Sequence, residues 1–228
     1  MKYAIIAAGE GSRLAQEGIT SPKPLVKVEG EKLIDRLIRV FMANGATEID
    51  VICNEQMHDV ARHLETIQQG DAPLRFVVKS TPSSMHSMWE LSRWLGDEPF
   101  VLTTVDTIFR EQEFSDYVRC FQSLVERGEA DGLMGVTDYI DDEKPLYVET
   151  DGQMNITAFL DRCDAPQYIS GGIYGLTPDS IRTLNRCIER GESRMRNFQR
   201  TLVSDGLRLK AWAFSKVLDV DHASDIQK

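Results

Sequence analysis

Five residues, Tyr3-Ala4-Ile5-Ile6-Ala7, run directly into Ala8-Gly9-Glu10-Gly11-Ser12-Arg13-Leu14. The unbroken apolar run reads as a buried strand that ends in a glycine-rich turn. Glycines at such a turn let the backbone approach a ligand and expose its amide donors. A second element, Ser21-Pro22-Lys23-Pro24-Leu25, follows closely. Arg13 and Lys23 bring two cations to the same loop region. Fixed amides together with mobile positive charge are what a polyphosphate requires.

Two common phosphate motifs do not fit. A dinucleotide-binding fingerprint needs a third glycine three residues after Gly11, where Leu14 stands. A P-loop ends in Gly-Lys-Ser/Thr, a triplet absent from the chain.

Strand and helix patterns then alternate. Leu33, Ile34, Leu37, Ile38, Phe41 and Met42 repeat at helical spacing, and Asn44-Gly45 supplies a stop. Apolar runs at Ile49–Cys53, Leu74–Val78 and Phe100–Val105 predict strands, separated by helices around Val60–Ile67 and Met85–Leu95. Ser87 and Glu90 are spaced as a capping box for the second of these helices. Phe114–Arg127 predicts another helix. This order implies a mainly parallel sheet with helices on both faces. The second half turns to hairpin-like strands at Leu133–Thr137, Tyr147–Thr150 and Ile156–Leu160. A short strand at Ile173–Leu176, a helix after Pro178 and late strands at Leu209–Phe214 and Val217–Val220 complete it. The expected class is α/β, a three-layer α/β/α fold with a mixed, mainly parallel sheet of Rossmann-like character. No linker, repeat or low-complexity tract divides the 228 residues, so one domain is expected.

A net charge of −10 argues against a nucleic-acid or anionic-membrane binder, while leaving room for a local basic pocket. Cys53, Cys120, Cys163 and Cys187 are widely spaced, which suggests neither a zinc site nor a disulfide framework. The N-terminal apolar run is too short for a secretory leader or a membrane span. A cytoplasmic location is expected, and a homo-oligomer is compatible with the sequence.

Asp106 ends the apolar run Leu102-Thr103-Thr104-Val105, where open parallel sheets bind ligands. A carboxylate there suits Mg²⁺, or serves as a turn residue. Near the C-terminus, Asp219 and Asp221 are two apart and share one face if the chain is extended.

The N-terminal elements resemble the signature of the nucleotidyltransferase superfamily that includes sugar-1-phosphate nucleotidylyltransferases. Its two parts stand here as Ala7-Ala8-Gly9-Glu10-Gly11-Ser12-Arg13-Leu14 and Pro22-Lys23-Pro24-Leu25. The resemblance covers nearly the whole chain. It implies a nucleotide-diphospho-sugar-transferase-like fold, with residues 1–110 as the nucleotide half and 111–228 as the acceptor half. The implied enzyme is an Mg²⁺-dependent nucleotidyltransferase that moves NMP from an NTP to a sugar-1-phosphate and releases pyrophosphate. Its partners are the NTP and a phosphorylated small-molecule acceptor.

By the same resemblance Arg13 and Lys23 are catalytic, and Ala7, Ala8, Gly9, Gly11 and Ser12 meet the nucleotide. Asp106 and Asp221 hold the metal, with Asp219 as partner or substitute. Ser83 and Ser84 face the nucleobase and ribose, with helix capping as their other reading. Gly171, Gly172 and Glu149 lie beside the acceptor. Many members carry Phe-x-Glu-Lys-Pro after an Asp-Gly hairpin; here Asp161 and Arg162 stand in place of the Glu-Lys pair, a departure that loosens any single sugar assignment. The segment Ser84-Met85-His86-Ser87-Met88-Trp89 resembles the phosphocholine cytidylyltransferase branch, so a small phospho-alcohol is the alternative acceptor. A non-catalytic nucleotide-binding module is the third reading.

Overall fold

A computed structural model describes residues 1–140 and 144–227. In chain order the strands are β1 (Lys2–Ala7), β2 (Lys27–Val28), β3 (Glu31–Lys32), β4 (Glu48–Cys53), β5 (Leu74–Val78), β6 (Phe100–Thr104) and β7 (Thr107–Phe109), then β8 (Gly132–Thr137), β9 (Tyr147–Thr150), β10 (Ile156–Leu160), β11 (Tyr168–Leu176), β12 (Leu209–Phe214) and β13 (Val217–Asp219). The helices are α1 (Ser12–Gln16), α2 (Leu33–Ala43), α3 (His58–Gln68), α4 (Ser84–Leu95), α5 (Glu111–Glu126), α6 (Asp179–Glu189) and α7 (Met195–Ser204).

The main sheet runs β10-β9-β11-β6-β1-β4-β5, with β8 paired to both β11 and β12. β1 lies parallel to β4 and β6, and β4 parallel to β5. β11 is antiparallel to β6, β8 and β9, which makes the sheet mixed. Along β1 the side chains alternate between two apolar layers. Tyr3, Ile5 and Ala7 pack with Leu37 and Phe41 of α2, Leu64 of α3 and Phe114 of α5. Ala4 and Ile6 pack with Met88 of α4, Leu184 of α6 and Phe198 of α7. Burial on both faces explains why β1 reads as a continuous apolar run rather than an alternating one. The result is a three-layer α/β/α architecture.

Several local expectations change. The start of α4 is capped by Ser83, whose Oγ accepts from the His86 backbone N–H. Ser87 instead is buried in the helix and bonds Thr81, while Glu90 pairs with Lys79. The proposed Ser87/Glu90 capping box is therefore not formed, because the helix begins three residues earlier. α5 starts at Glu111, ahead of Phe114, with Glu111 and Glu113 in its first turn where the helix dipole favours carboxylates. β11 extends back to Tyr168, beyond the short strand expected at Ile173. Its register against β8 shifts between Ser170 and Ile173, at the Gly171-Gly172 pair, which hides the strand from a periodicity reading. All four cysteines carry free thiols. No described helix is long and apolar enough to cross a membrane.

Candidate active site

The glycine turn after β1 is built around Lys23. Gly11 has φ 61°, a left-handed conformation that costs other residues steric strain, and it precedes α1. A Cβ on Gly11 would lie 3.2 Å from the Lys23 Cβ, so the bare backbone packs directly on the lysine stem. Pro22 and Pro24 flank Lys23 and restrict the backbone that carries it. The side chain is only 10% exposed. Its ammonium bridges two carboxylates, Asp106 and Asp221, with Nζ 2.7 Å from Asp221 Oδ1. Arg13 Nη1 donates to the other oxygen, Asp221 Oδ2, at 2.8 Å.

These carboxylates come from distant parts of the chain. Val105 N donates to Ile6 O at 3.0 Å, so the residue before Asp106 still runs beside β1. The chain then turns into β7, which pairs antiparallel with β13 and sets Thr107 opposite Asp219. Val220 N donates to Asp106 O at 3.1 Å and closes the pair. Asp225 is buried, and its Oδ2 accepts from the backbone N–H groups of Asp221 (3.1 Å) and His222 (2.8 Å). Glu17, just past α1, accepts from His222 Nδ1 and from Ala223 N, both at 2.6 Å. That clasp ties the glycine-turn segment to the C-terminal one.

Burial alone would lower the Lys23 ammonium pKa; Asp106 and Asp221 outweigh it and hold the group above its ordinary value. Asp219 is exposed on the cleft wall. Desolvation, followed by the charges of Asp106 and Asp221, pushes its carboxyl up to about 8. Thr107 Oγ1 donates to Asp219 Oδ1 at 3.2 Å and is itself bonded to Thr104 Oγ1 at 2.7 Å. With the Asp219 carboxyl held toward its neutral form, the carboxylates of Asp106 and Asp221 balance the cations of Lys23 and Arg13. The described residues form no preassembled group of three or more metal-ligating side chains. An all-oxygen donor set of this kind suits a hard cation that shares its coordination with substrate phosphates. The Lys23 ammonium seated between Asp106 and Asp221 shows that the cluster accepts positive charge there.

Two cavities open on the cluster. The first, about 370 Å³, is lined by Arg13, Thr137, Gly171, Asp219, Asp221 and His222 among others. The second, about 560 Å³, is lined by Ser83, Ser84, Thr104, Gly172, Arg194 and Gln199 among others. Asp219 and Ser170 line both.

The structure therefore brings Arg13, Lys23, Asp106, Asp219 and Asp221 together. Ala7 and Ala8 are buried at the end of β1, where Ala8 O accepts from Asn54 Nδ2 at 3.3 Å. Gly9 has open space around its α-carbon, and Ser12 starts α1 on the surface. Ser83 both caps α4 and borders the second cavity, beside Ser84. Gly171 and Gly172 border the first and second cavities respectively. Glu149 is exposed on β9 and lines neither cavity. Asp161 is engaged by Arg196 at 2.5 Å and Arg200 at 2.8 Å, while Arg162 is exposed just beyond β10. His222 pairs through Nδ1 with Glu17. Glu17, Thr107, Ser170, Gln199 and Asp225 were not singled out from the sequence. For Asp225 alone a signal existed: an aspartate three residues after His222, spaced to cap a turn.

Residues 2–225 match the nucleotidyl transferase family model. Among curated relatives, the low-salt glycan biosynthesis nucleotidyltransferase Agl11 of Haloferax volcanii is 25% identical over 217 residues, which cover 90% of this chain and 58% of that protein. The UTP–glucose-1-phosphate uridylyltransferase AglF of the same organism is 22% identical, over 99% of this chain and 93% of its own length. The chain thus spans little more than half of the first of these relatives. Among solved structures, the inositol-1-phosphate CTP transferase from T. maritima superposes with a TM-score of 0.79 at 20% identity, covering 98% of this chain and 90% of that one. A Bacillus anthracis protein assigned as a glucose-1-phosphate thymidylyltransferase gives 0.83 at 19% identity, covering 98% and 91%. The fold is common to these two solved structures. With the family match running from the first strand to the segment that carries Asp221, the chain belongs to the nucleotidyl transferase family.

Proposed function

We propose that the chain transfers a nucleotidyl group from an NTP to a sugar-1-phosphate and releases pyrophosphate. The observation that carries the reading is the cluster in which the Lys23 ammonium bridges Asp106 and Asp221 while Arg13 holds the far oxygen of Asp221. It lies beside the glycine turn; Arg13 and Asp221 line the first cavity, and the neighbouring Asp219 lines both.

In the reaction an acceptor phosphate oxygen attacks the α-phosphorus in line. A new P–O bond forms, the bond from the α-phosphorus to the bridging β-phosphate oxygen breaks, and pyrophosphate departs with the electron pair. No covalent enzyme intermediate is needed. The protein must align two anions that repel one another and neutralise the charge that develops. The amides of residues 9–12 and the Arg13 guanidinium suit the β- and γ-phosphates. Lys23 suits the α-phosphate or the incoming acceptor phosphate, since either can replace a carboxylate as its partner. Asp106 and Asp221, with Asp219 adjacent, would hold Mg²⁺, which when bound neutralises phosphate charge and fixes phosphate orientation. Ser83 and Ser84 border the space assigned to the substrates. The division into a nucleotide half, residues 1–110, and an acceptor half, residues 111–228, belongs to the same reading, as does a cytoplasmic site of action.

The alternative acceptor, phosphocholine, drew on the segment from Ser84 to Trp89. Met85, Ser87 and Met88 are buried in α4, and Trp89 turns outward to Asn185 at 3.1 Å. Most of that segment is helix packing, which favours the sugar-1-phosphate reading.

The test is pyrophosphate release with Mg²⁺, each of the four NTPs, and a panel of sugar-1-phosphates, inositol-1-phosphate and phosphocholine. Release with one pair, abolished by Asp106→Asn, is expected. Absence of both release and NTP binding contradicts the proposal; NTP binding without release on any acceptor favours a non-catalytic module.

A further inference from the structure

We propose that Gln199 is a specificity-determining residue for the acceptor, donating its side-chain amide to a hydroxyl oxygen of the molecule held in the second cavity. The inference rests on the transfer reaction proposed above and assigns the part of the second cavity around Gln199 to its acceptor.

Gln199 lies on α7 and is 2% exposed. Its Oε1 accepts from Ser170 Oγ at 3.1 Å. Ser170 is itself fixed, because its backbone N donates to Leu146 O at 2.9 Å and it stands at the register shift of β11. Ser170 Oγ thus engages one end of the amide. No hydrogen bond among the described residues takes the Nε2 end. Yet the one buried side-chain nitrogen or oxygen without a partner among those residues is on Arg36, so Gln199 Nε2 reaches open space. The open space that Gln199 borders is the second cavity.

Side-chain amides buried this deeply are nearly always hydrogen-bonded, since leaving one unpaired is costly. This donor is satisfied by whatever enters the cavity, and a ligand that displaces water there must offer an acceptor in its place. An N–H donor selects an oxygen lone pair, and Thr104 and Ser193 line the same space. Arg194 adds positive charge at its border, where Arg196 is already paired with Asp161, and Asp219 joins it to the carboxylate cluster. A hydroxyl-bearing phosphate, a sugar or cyclitol phosphate, satisfies all of these at once. A trimethylammonium headgroup offers no lone pair to Gln199.

Binding of glucose-1-phosphate, inositol-1-phosphate, phosphocholine and Mg-NTP would be measured by calorimetry on the full chain, with Gln199→Leu and Gln199→Glu beside the unaltered protein. The expected result is about a tenfold weaker affinity for a polyol phosphate in both variants, the scale of one directed hydrogen bond. NTP affinity stays within about twofold and Tm changes little. Monodeoxy analogues of the bound sugar phosphate locate the partner: the analogue lacking that hydroxyl binds the unaltered chain weakly and loses nothing further in Gln199→Leu. Unchanged affinity for the polyol phosphate in both variants overturns the role of Gln199 alone. Equal weakening of NTP and acceptor with a fall in Tm also overturns it, by assigning the residue to packing. An unaltered chain that binds NTP but none of the phosphorylated probes contradicts the acceptor cavity itself.

Discussion

Lys23 joins the parts of the site that lie furthest apart in sequence, because one ammonium holds Asp106 and Asp221 together. Lys23→Ala removes that bridge and should lower turnover by about 10²–10³, the scale of losing one electrostatic contact to the transition state. A kcat within about twofold of the unaltered chain contradicts the assignment. The two C-terminal carboxylates separate by their partners. Asp221 contacts both Lys23 and Arg13, whereas Asp219 accepts, among the described residues, only from Thr107. Asp221→Asn should therefore reduce kcat more than Asp219→Asn, and the reverse order would move the main role to Asp219. Arg13, Lys23, Asp106 and Asp221 were legible because motif spacing marks them. Gln199 and Glu17 were not, since each acts through a partner chosen by tertiary packing, whereas Asp225 bonds backbone amides three and four residues before it, a spacing the sequence carries. Glu17 and His222 lie 205 residues apart in sequence.

The short elements aim the site. β7 and β13 are three residues each, too short to show a period of two, and their pairing was invisible before the fold was known. The long apolar strands and amphipathic helices were readable because burial dictates their pattern. Close packing on β11 gives a stability test. A Cβ on Gly175 would lie 2.7 Å from the Tyr117 hydroxyl and 3.0 Å from the Phe121 ring. Tyr117 is held there by donating to Leu133 O at 2.7 Å. Gly175→Ala should cost about 1–3 kcal/mol by overpacking, read as a lower Tm or denaturant midpoint. Full retention of both would show that α5 can shift outward.

A second test concerns the entry to β12. Asp131 accepts from the Arg208 backbone N at 2.8 Å and from its guanidinium. Those bonds hold the carboxyl below its ordinary 3.8, so the folded state prefers the carboxylate. The contribution is full above about pH 4 and is lost as pH falls through the lowered folded value. Asp131→Asn should destabilise by about 1 kcal/mol at pH 7, and the gap should close on acidification. A gap independent of pH would assign the loss to packing.

Across the whole molecule, two apolar layers sandwich a mixed sheet, and the ligand-facing charges gather at one end of β1 and β6. A chain of net charge −10 still sets Arg13 and Lys23 among three aspartates at that end, with Arg194 and Arg196 on the cavity beside it. Charge of this kind suits anions that arrive with a divalent cation rather than a polyanionic surface. The most direct test of nucleotidyl transfer is ³¹P NMR of the NTP and acceptor pair that turns over with Mg²⁺. The account predicts pyrophosphate and a new diphosphate linkage joining nucleotide to acceptor, in equal amounts. Orthophosphate with free nucleoside diphosphate and an unchanged acceptor would contradict it.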